Sequence, residues 1–160
     1  MAADELFERL EHLRGQKTVI ICIGNILRGD DGAGPAVFEQ LKGKTCADLI
    51  NTETVPENYI QSIIKKSPQN LIIIDAVHFD ASAGTIKVFA PEQLSDIVIS
   101  THTLSPRLFI DLIARSIKVN IFFLGIQPAQ TEFNSSLSSE VQNAVQRLAG
   151  FLTAVFPPQS

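Results

Sequence analysis

Residues 18–35 constrain the fold of this chain more than any other stretch. Six consecutive apolar or β-prone residues, Thr18 to Ile23, have the make-up of a strand buried on both faces. Gly24-Asn25 breaks the run, and a loop carrying Gly29, Gly32 and Gly34 follows. Pro35 then suits the first turn of a helix, whose N–H groups have no intrahelical acceptor. Asp30 and Asp31 therefore stand between a strand end and a helix start, where open α/β sheets bind ligands. Three readings compete for the loop. As a tight turn and helix cap, its carboxylates gain from the helix dipole. As a phosphate cradle it has the glycines but not the spacing of a dinucleotide or P-loop motif, no Lys-Ser/Thr pair follows, and two aspartates repel phosphate. As a cation site it needs further oxygen or nitrogen ligands from neighbouring loops.

The remaining chain alternates helices and strands. Residues 4–14 read as an amphipathic helix, with Asp4 as cap, Leu6, Phe7, Leu10 and Leu13 as its stripe and Gly15 as its stop. A helix over 34–42 turns Val37, Phe38 and Leu41 to the sheet, and residues 47–51 form a weak second strand. Pro56 opens a helix with Tyr59, Ile60, Ile63 and Ile64 apolar, ended by Ser67-Pro68. The apolar run Leu71 to Ile74 is a second doubly buried strand, terminated by Asp75. A short loop with His78, Asp80 and Gly84 leads to a strand over 85–89. So short a connection permits only an antiparallel neighbour, so one strand runs against the rest, at an edge. Ser105-Pro106 starts a helix whose buried face is Leu108, Phe109, Leu112 and Ile113. A last strand over 119–124 runs into Gly125-Ile126-Gln127-Pro128. The final helix, over 137–156, carries Leu137, Val141, Val145, Leu148, Leu152 and Val155. The expected fold is a three-layer α/β/α sandwich with a mostly parallel sheet of about five strands, one antiparallel. One domain is expected to span residues 1–160.

Composition narrows the function classes. The formal net charge of −4 offers no basic surface for nucleic acid or anionic lipid. The acidic N-terminus is unlike a signal peptide, and no apolar run approaches the roughly 20 residues that span a bilayer. A cytoplasmic protein with no membrane insertion is expected. Cys22 lies inside the first strand and Cys46 in a polar loop, which is neither a CxxC motif nor a disulfide framework. No Ser-His-Asp or Cys-His arrangement is visible, and His-Glu-x-x-His is absent, so neither a covalent nucleophile nor a zincin-type zinc is expected.

Beside the turn-and-cap reading, the cation reading gains from the rest of the chain. The strands ending at Ile23 and Ile74 are both parallel core strands, so Asp31 and Asp75 emerge from one edge of the sheet. His102, just ahead of a helix N-terminus, reaches that edge if residues 91–101 cross back over it. Two carboxylates and an imidazole make an open divalent site, and imidazole suits nickel and zinc better than magnesium or calcium. His78, three residues past Asp75, is a further candidate. Asp30 is expected to cap or orient the loop.

Five segments then match one family in order. They are Gly24 through Gly32 (Gly-Asn-Ile-Leu-Arg-Gly-Asp-Asp-Gly), Pro56-Glu57, Ile74-Asp75-Ala76, Thr101-His102-Thr103-Leu104-Ser105 and Phe123 through Pro128. On these the chain resembles a [NiFe]-hydrogenase maturation endopeptidase, and its Gly-Ile-Gln-Pro ending is most similar to the branch acting on formate-hydrogenlyase-type enzymes. The resemblance implies a protease that removes the C-terminal extension of the hydrogenase large-subunit precursor after nickel insertion. It implies Asp31, Asp75 and His102 as both the catalytic and the metal-binding set, acting on nickel carried by the precursor. Other divalent metals are expected to occupy the same site in vitro. The partner is the large-subunit precursor, and a monomer is expected. Two departures stand out. Asp31 is one methylene shorter than the Glu of many relatives, and Asn51-Thr52-Glu53-Thr54-Val55 stands where relatives often show Asp-Gly-Gly. The alternative is a non-catalytic nickel-dependent chaperone or checkpoint protein for the large subunit. A weaker one is a hydrolase of the same sandwich fold acting on an aminoacyl ester.

Overall fold

The computed structural model describes residues 3–96 and 105–159. Its five strands are β1 (Thr18–Ile23), β2 (Asp48–Glu53), β3 (Asn70–Ala76), β4 (Ile86–Phe89) and β5 (Asn120–Ile126). They form one sheet in the order β2-β1-β3-β5-β4. Every pairing is parallel except that of β4 with β5. The helices are α1 (Ala3–Leu10), α2 (Ala33–Leu41), α3 (Ile60–Lys66), α4 (Pro106–Ser116) and α5 (Ser139–Val155). The sandwich read from the sequence is therefore the observed architecture.

Strand alternation sorts the core into two layers. Ile20, Cys22, Ile72, Ile74 and Leu124 pack with α1, α2 and α5, while Val19, Ile21, Leu71, Ile73 and Phe123 pack with α3 and α4. All residues of β1 and β3 are buried, as two-sided coverage requires. Each fully buried Ile or Leu contributes about 1.5–3 kcal/mol of transfer free energy, so these two strands are the centre of the hydrophobic core. The chain moves one way from β1 to β2 and the other way from β2 to β3 and on to β5. With right-handed crossovers, that reversal sends α2 to one face and α3 and α4 to the other. It also opens a crevice between the C-terminal ends of β1 and β3.

Several local expectations are corrected. The short loop after β3 does lead to an antiparallel edge strand, but β4 pairs with β5 and not with β3. Residues 77–85 step across the position that β5 later fills, a span of about 10 Å at ordinary strand spacing. On α4 the buried residues are Phe109, Ile110 and Ile113, whereas Leu108 and Leu112 are 44% and 37% exposed. β2 runs further than the expected 47–51, because its last residues pair with Cys22 and Ile23 across an irregular register. The segment opened by Pro56 is a 3-10 turn, Pro56–Tyr59, before α3 begins. The N-terminal helix likewise ends in a 3-10 turn, Glu11–Leu13. Its Leu6 and Leu10, with Leu13, pack into the layer under α2 and α5, so these residues belong to the core.

Candidate functional site

The site is built at the crevice between β1 and β3. Beyond Ile23 the chain folds back so tightly that glycine is required at two places. A Cβ on Gly24 would lie 2.1 Å from the Asp31 carbonyl oxygen, and one on Gly34 would lie 2.2 Å from the Ile23 carbonyl oxygen. With no side chain at either position, the 3-10 turn Gly29–Gly32 and the start of α2 press against the strand end. The Asn25 N–H then donates to the Asp31 carbonyl at 3.0 Å and faces its carboxylate Oδ2 at 3.2 Å. Asp31 is thereby fixed, 2% exposed, at the C-terminal end of β1.

Asp30 has a different task, and the structure shows it in detail. Its Oδ2 accepts from the Ala129 N–H at 2.8 Å, the Gln130 N–H at 3.1 Å and the Ser138 hydroxyl at 2.8 Å. Its Oδ1 accepts from the Ser138 N–H at 2.6 Å. Ser138 in turn accepts from the Val141 N–H as the N-cap of α5. Asp30 therefore ties the β1 loop to the β5 loop and to the start of α5. It orients the loop, as expected from the sequence.

Asp75 is the penultimate residue of β3, lying within the strand where the sequence placed it just beyond. Its register partner is Gly125 of β5. It is 1% exposed and lines a small cavity with Ile23, Ile73, Phe123, Phe109, Pro56 and Pro106. These walls are apolar, so Asp75 is the charged group among the described residues of that cavity. Next to Pro56, Glu57 has a buried carboxylate oxygen, Oε2, with no hydrogen-bond partner among the described residues. Gln127, of the Gly-Ile-Gln-Pro segment, holds the loop that follows β3: its Oε1 accepts from the Phe79 N–H at 2.8 Å and faces the Ala81 N–H at 3.3 Å. The sequence offered no signal for that role beyond the motif match.

Asp31 and Asp75 thus stand at the ends of adjacent parallel strands, on the edge expected for them. The third predicted ligand, His102, lies outside the described residues. Among the described residues, no group of three or more His, Cys, Asp or Glu side chains is arranged to hold a metal ion. His78 is exposed and does not line the Asp75 cavity. Cys22 is fully buried in β1, and burial pushes its thiol up to about 12, so it supplies no thiolate. On the other side of the β1 loop an open groove runs between Ile26 and Leu27, the end of β2 at Glu53 and Thr54, and α2 at Glu39.

With that geometry in hand, likeness to known proteins is informative. A sequence model described as hydrogenase maturation protease matches residues 35–154. The Hydrogenase 3 maturation protease of Escherichia coli K12 is 31% identical over 140 residues, covering 83% of this chain and 89% of its own. The crystal structure of a [NiFe] hydrogenase maturation protease, HycI, from Thermococcus kodakarensis superposes with a TM-score of 0.83 at 32% identity, over 92% of this chain and 97% of that one. The solution structure of the endopeptidase HycI from E. coli superposes at 0.79 with 30% identity, over 86% and 90%. A chain with this sheet order, buried carboxylates at the ends of two neighbouring strands and this breadth of likeness belongs to the hydrogenase maturation protease family and is a peptidase.

Proposed function

We propose that this peptidase removes the C-terminal extension of a nickel–iron hydrogenase large-subunit precursor, and does so only after nickel has been inserted. The observation that carries the proposal is the pair of nearly inaccessible carboxylates, Asp31 and Asp75, at the ends of neighbouring core strands. Burying an acidic side chain is costly unless a cation or hydrogen-bond donors compensate, and a precursor that carries nickel brings a cation to this end of the sheet. In this reading the nickel is part of the substrate. Asp31, Asp75 and His102 take up its open coordination positions and so bring the scissile peptide alongside.

Docking through the metal converts a bimolecular encounter into an oriented one, an effect of order several kcal/mol on the barrier. A carboxylate then accepts a proton from the attacking water while the water oxygen bonds to the carbonyl carbon. The same proton is delivered to the amide nitrogen as the C–N bond breaks. With the Cys22 thiol buried and protonated, direct attack by water is the route these side chains favour. The setting is taken to be the cytoplasm and the acting species a monomer.

The deciding experiment compares purified precursor with and without nickel, following the mobility shift of the large subunit. Nickel-loaded precursor is expected to be cut and nickel-free precursor left intact. Equal processing of both refutes nickel gating, and stable binding of the loaded form without cleavage favours a chaperone role. His102→Ala is expected to slow the nickel-loaded reaction.

A further inference from the structure

The segment Gly125-Ile126-Gln127-Pro128 carries no acid, base or nucleophile, yet it borders the exit of β3. Strand alternation puts Ile73, Asp75 and Val77 on the same sheet face as Phe123 and Gly125, the face covered by α3 and α4. Gly125 stands opposite Asp75 in register. A Cβ on Gly125 would lie 2.3 Å from Val77 Cγ2 and 2.6 Å from the Phe89 ring. Those two side chains therefore fill the space that a side chain opposite Asp75 would take. Phe89 meets Phe79 edge-on at 5.2 Å between ring centroids and Phe123 at 6.2 Å, and Phe123 lines the Asp75 cavity.

What holds Phe79 is Gln127, a buried amide whose Oε1 accepts from the Phe79 N–H at 2.8 Å and faces the Ala81 N–H at 3.3 Å. Asp80, between them, has a left-handed backbone of φ +58°, which residues other than glycine adopt at a cost. The turn is bent around one side-chain oxygen. Gln127 Nε2 donates to the Pro128 carbonyl at 3.2 Å, which keeps Oε1 turned toward the loop. The backbone closes the other arm: the Gln127 N–H donates to the Thr85 carbonyl at 2.9 Å, and the Gly84 N–H donates to the Gln127 carbonyl at 2.8 Å. Just beyond, the Ala129 and Gln130 N–H groups donate to Asp30. The loop after β1 and the loop after β3 therefore hang on one short stretch of chain, residues 127–130.

We propose that Gln127 is a positioning residue for Asp75. It holds Phe79 against Phe89 and so sets the wall beside the carboxylate, and it ties that wall to the loop that carries Asp31. Gln127 acts through these aromatic side chains and not on the substrate. The proposal rests on the processing reading for what Asp75 does with the precursor.

Three variants test it. Gln127→Met removes both side-chain bonds at nearly constant volume, and Gln127→Glu keeps an acceptor for the Phe79 and Ala81 N–H groups. Leu148→Ala, in the opposite core layer, controls for lost stability alone. Each is studied well below its own Tm by kcat on nickel-loaded precursor, by amide exchange at Phe79 and Ala81, and by the NMR resonance of the Asp75 carboxyl carbon. Gln127→Met is expected to expose both amides to exchange, shift the Asp75 resonance and cut kcat roughly tenfold or more, as a displacement of about 1 Å can. Gln127→Glu is expected to restore the protection, the resonance and most of the kcat. Leu148→Ala is expected to lower Tm with kcat and the Asp75 resonance as in the wild type. An Asp75 resonance or a kcat unchanged in Gln127→Met overturns the proposal, as do amides that stay protected there or an equal fall in kcat in Leu148→Ala. If the wild type leaves loaded precursor uncut, the processing reading fails, and the resonance and exchange still decide whether Gln127 positions Asp75.

Discussion

Asp30 and Glu57 are both carboxylates near the same sheet edge, and neutralising Asp30 is expected to cost stability where neutralising Glu57 does not. Asp30 accepts from two backbone N–H groups of the β5 loop and from both the N–H and the hydroxyl of Ser138. In Asp30→Asn the amide NH₂ turns a donor toward those donors, leaving at least one buried group unpaired. The expected cost is about 3 kcal/mol, or roughly 6–12 °C in Tm for a chain of this size. Glu57 Oε2 has no such partner among the described residues, so Glu57→Gln is expected to leave Tm unchanged or to raise it. Denaturant titration of the two variants checks the pair of signs, and a large loss in Glu57→Gln contradicts the reading. At a temperature where Asp30→Asn is still folded, it should process nickel-loaded precursor better than Asp31→Asn does. The neighbours Asp30 and Asp31 are indistinguishable by residue type. What separates them is which backbone donors surround each: those of Asp30 come from residues about a hundred positions away, whereas the Asn25 N–H beside Asp31 is only six positions away.

Among the elements, α4 shows how far periodicity can carry. Ser105 accepts from the Leu108 N–H as N-cap and Pro106 occupies the first turn, so the helix start is dictated locally. The buried arc is a matter of which way the helix is rolled on the sheet, and apolar residues cover more than one arc. Phe109, Ile110 and Ile113 pack on the layer that contains Phe123, while Leu108 stays 44% exposed. Ile113→Ala is expected to cost about 3 kcal/mol through transfer and cavity terms, and Leu108→Ala less than about 1 kcal/mol. Urea denaturation of the two single variants tests it, and comparable losses would show that both residues belong to the core. β4 makes a similar point. Its antiparallel direction follows from the short connection, but its partner depends on β5, which the chain has yet to make at that point.

For the whole molecule, the sheet order brings Asp31 and Asp75 to the ends of neighbouring strands, and the nickel-directed role proposed for them has a thermodynamic consequence. A divalent ion that binds the folded state and not the unfolded one raises Tm by mass action. With Ni²⁺, Zn²⁺ or Cd²⁺ at about a hundred times its dissociation constant, the gain is about 2.7 kcal/mol. That corresponds to roughly 5–11 °C at this chain length. Asp31→Asn is expected to reduce the response. A thermal scan in which none of the three ions shifts the wild type argues against a shared site for Asp31, Asp75 and His102.

The strand–loop–helix unit at residues 18–35, the two doubly buried strands, the Ser105-Pro106 helix start and the parallel character of the sheet were all legible in the sequence. Each depends on local chemistry: runs of β-branched residues, glycines where the backbone must turn sharply, serine and proline at helix starts. The edge on which Asp31 and Asp75 emerge was legible too, because parallel strands share a direction. Tertiary structure decided what depends on partners distant in the chain. It made Asp30 a clamp on residues 129–138, gave Gln127 the loop after β3, set β5 between β3 and β4, and chose the arc of α4 that is buried. It also set Glu53 in a left-handed turn opposite Ile23. Hydrogen bonds and packing between distant segments are won by whichever groups the fold brings together, and residue order does not encode that meeting one position at a time.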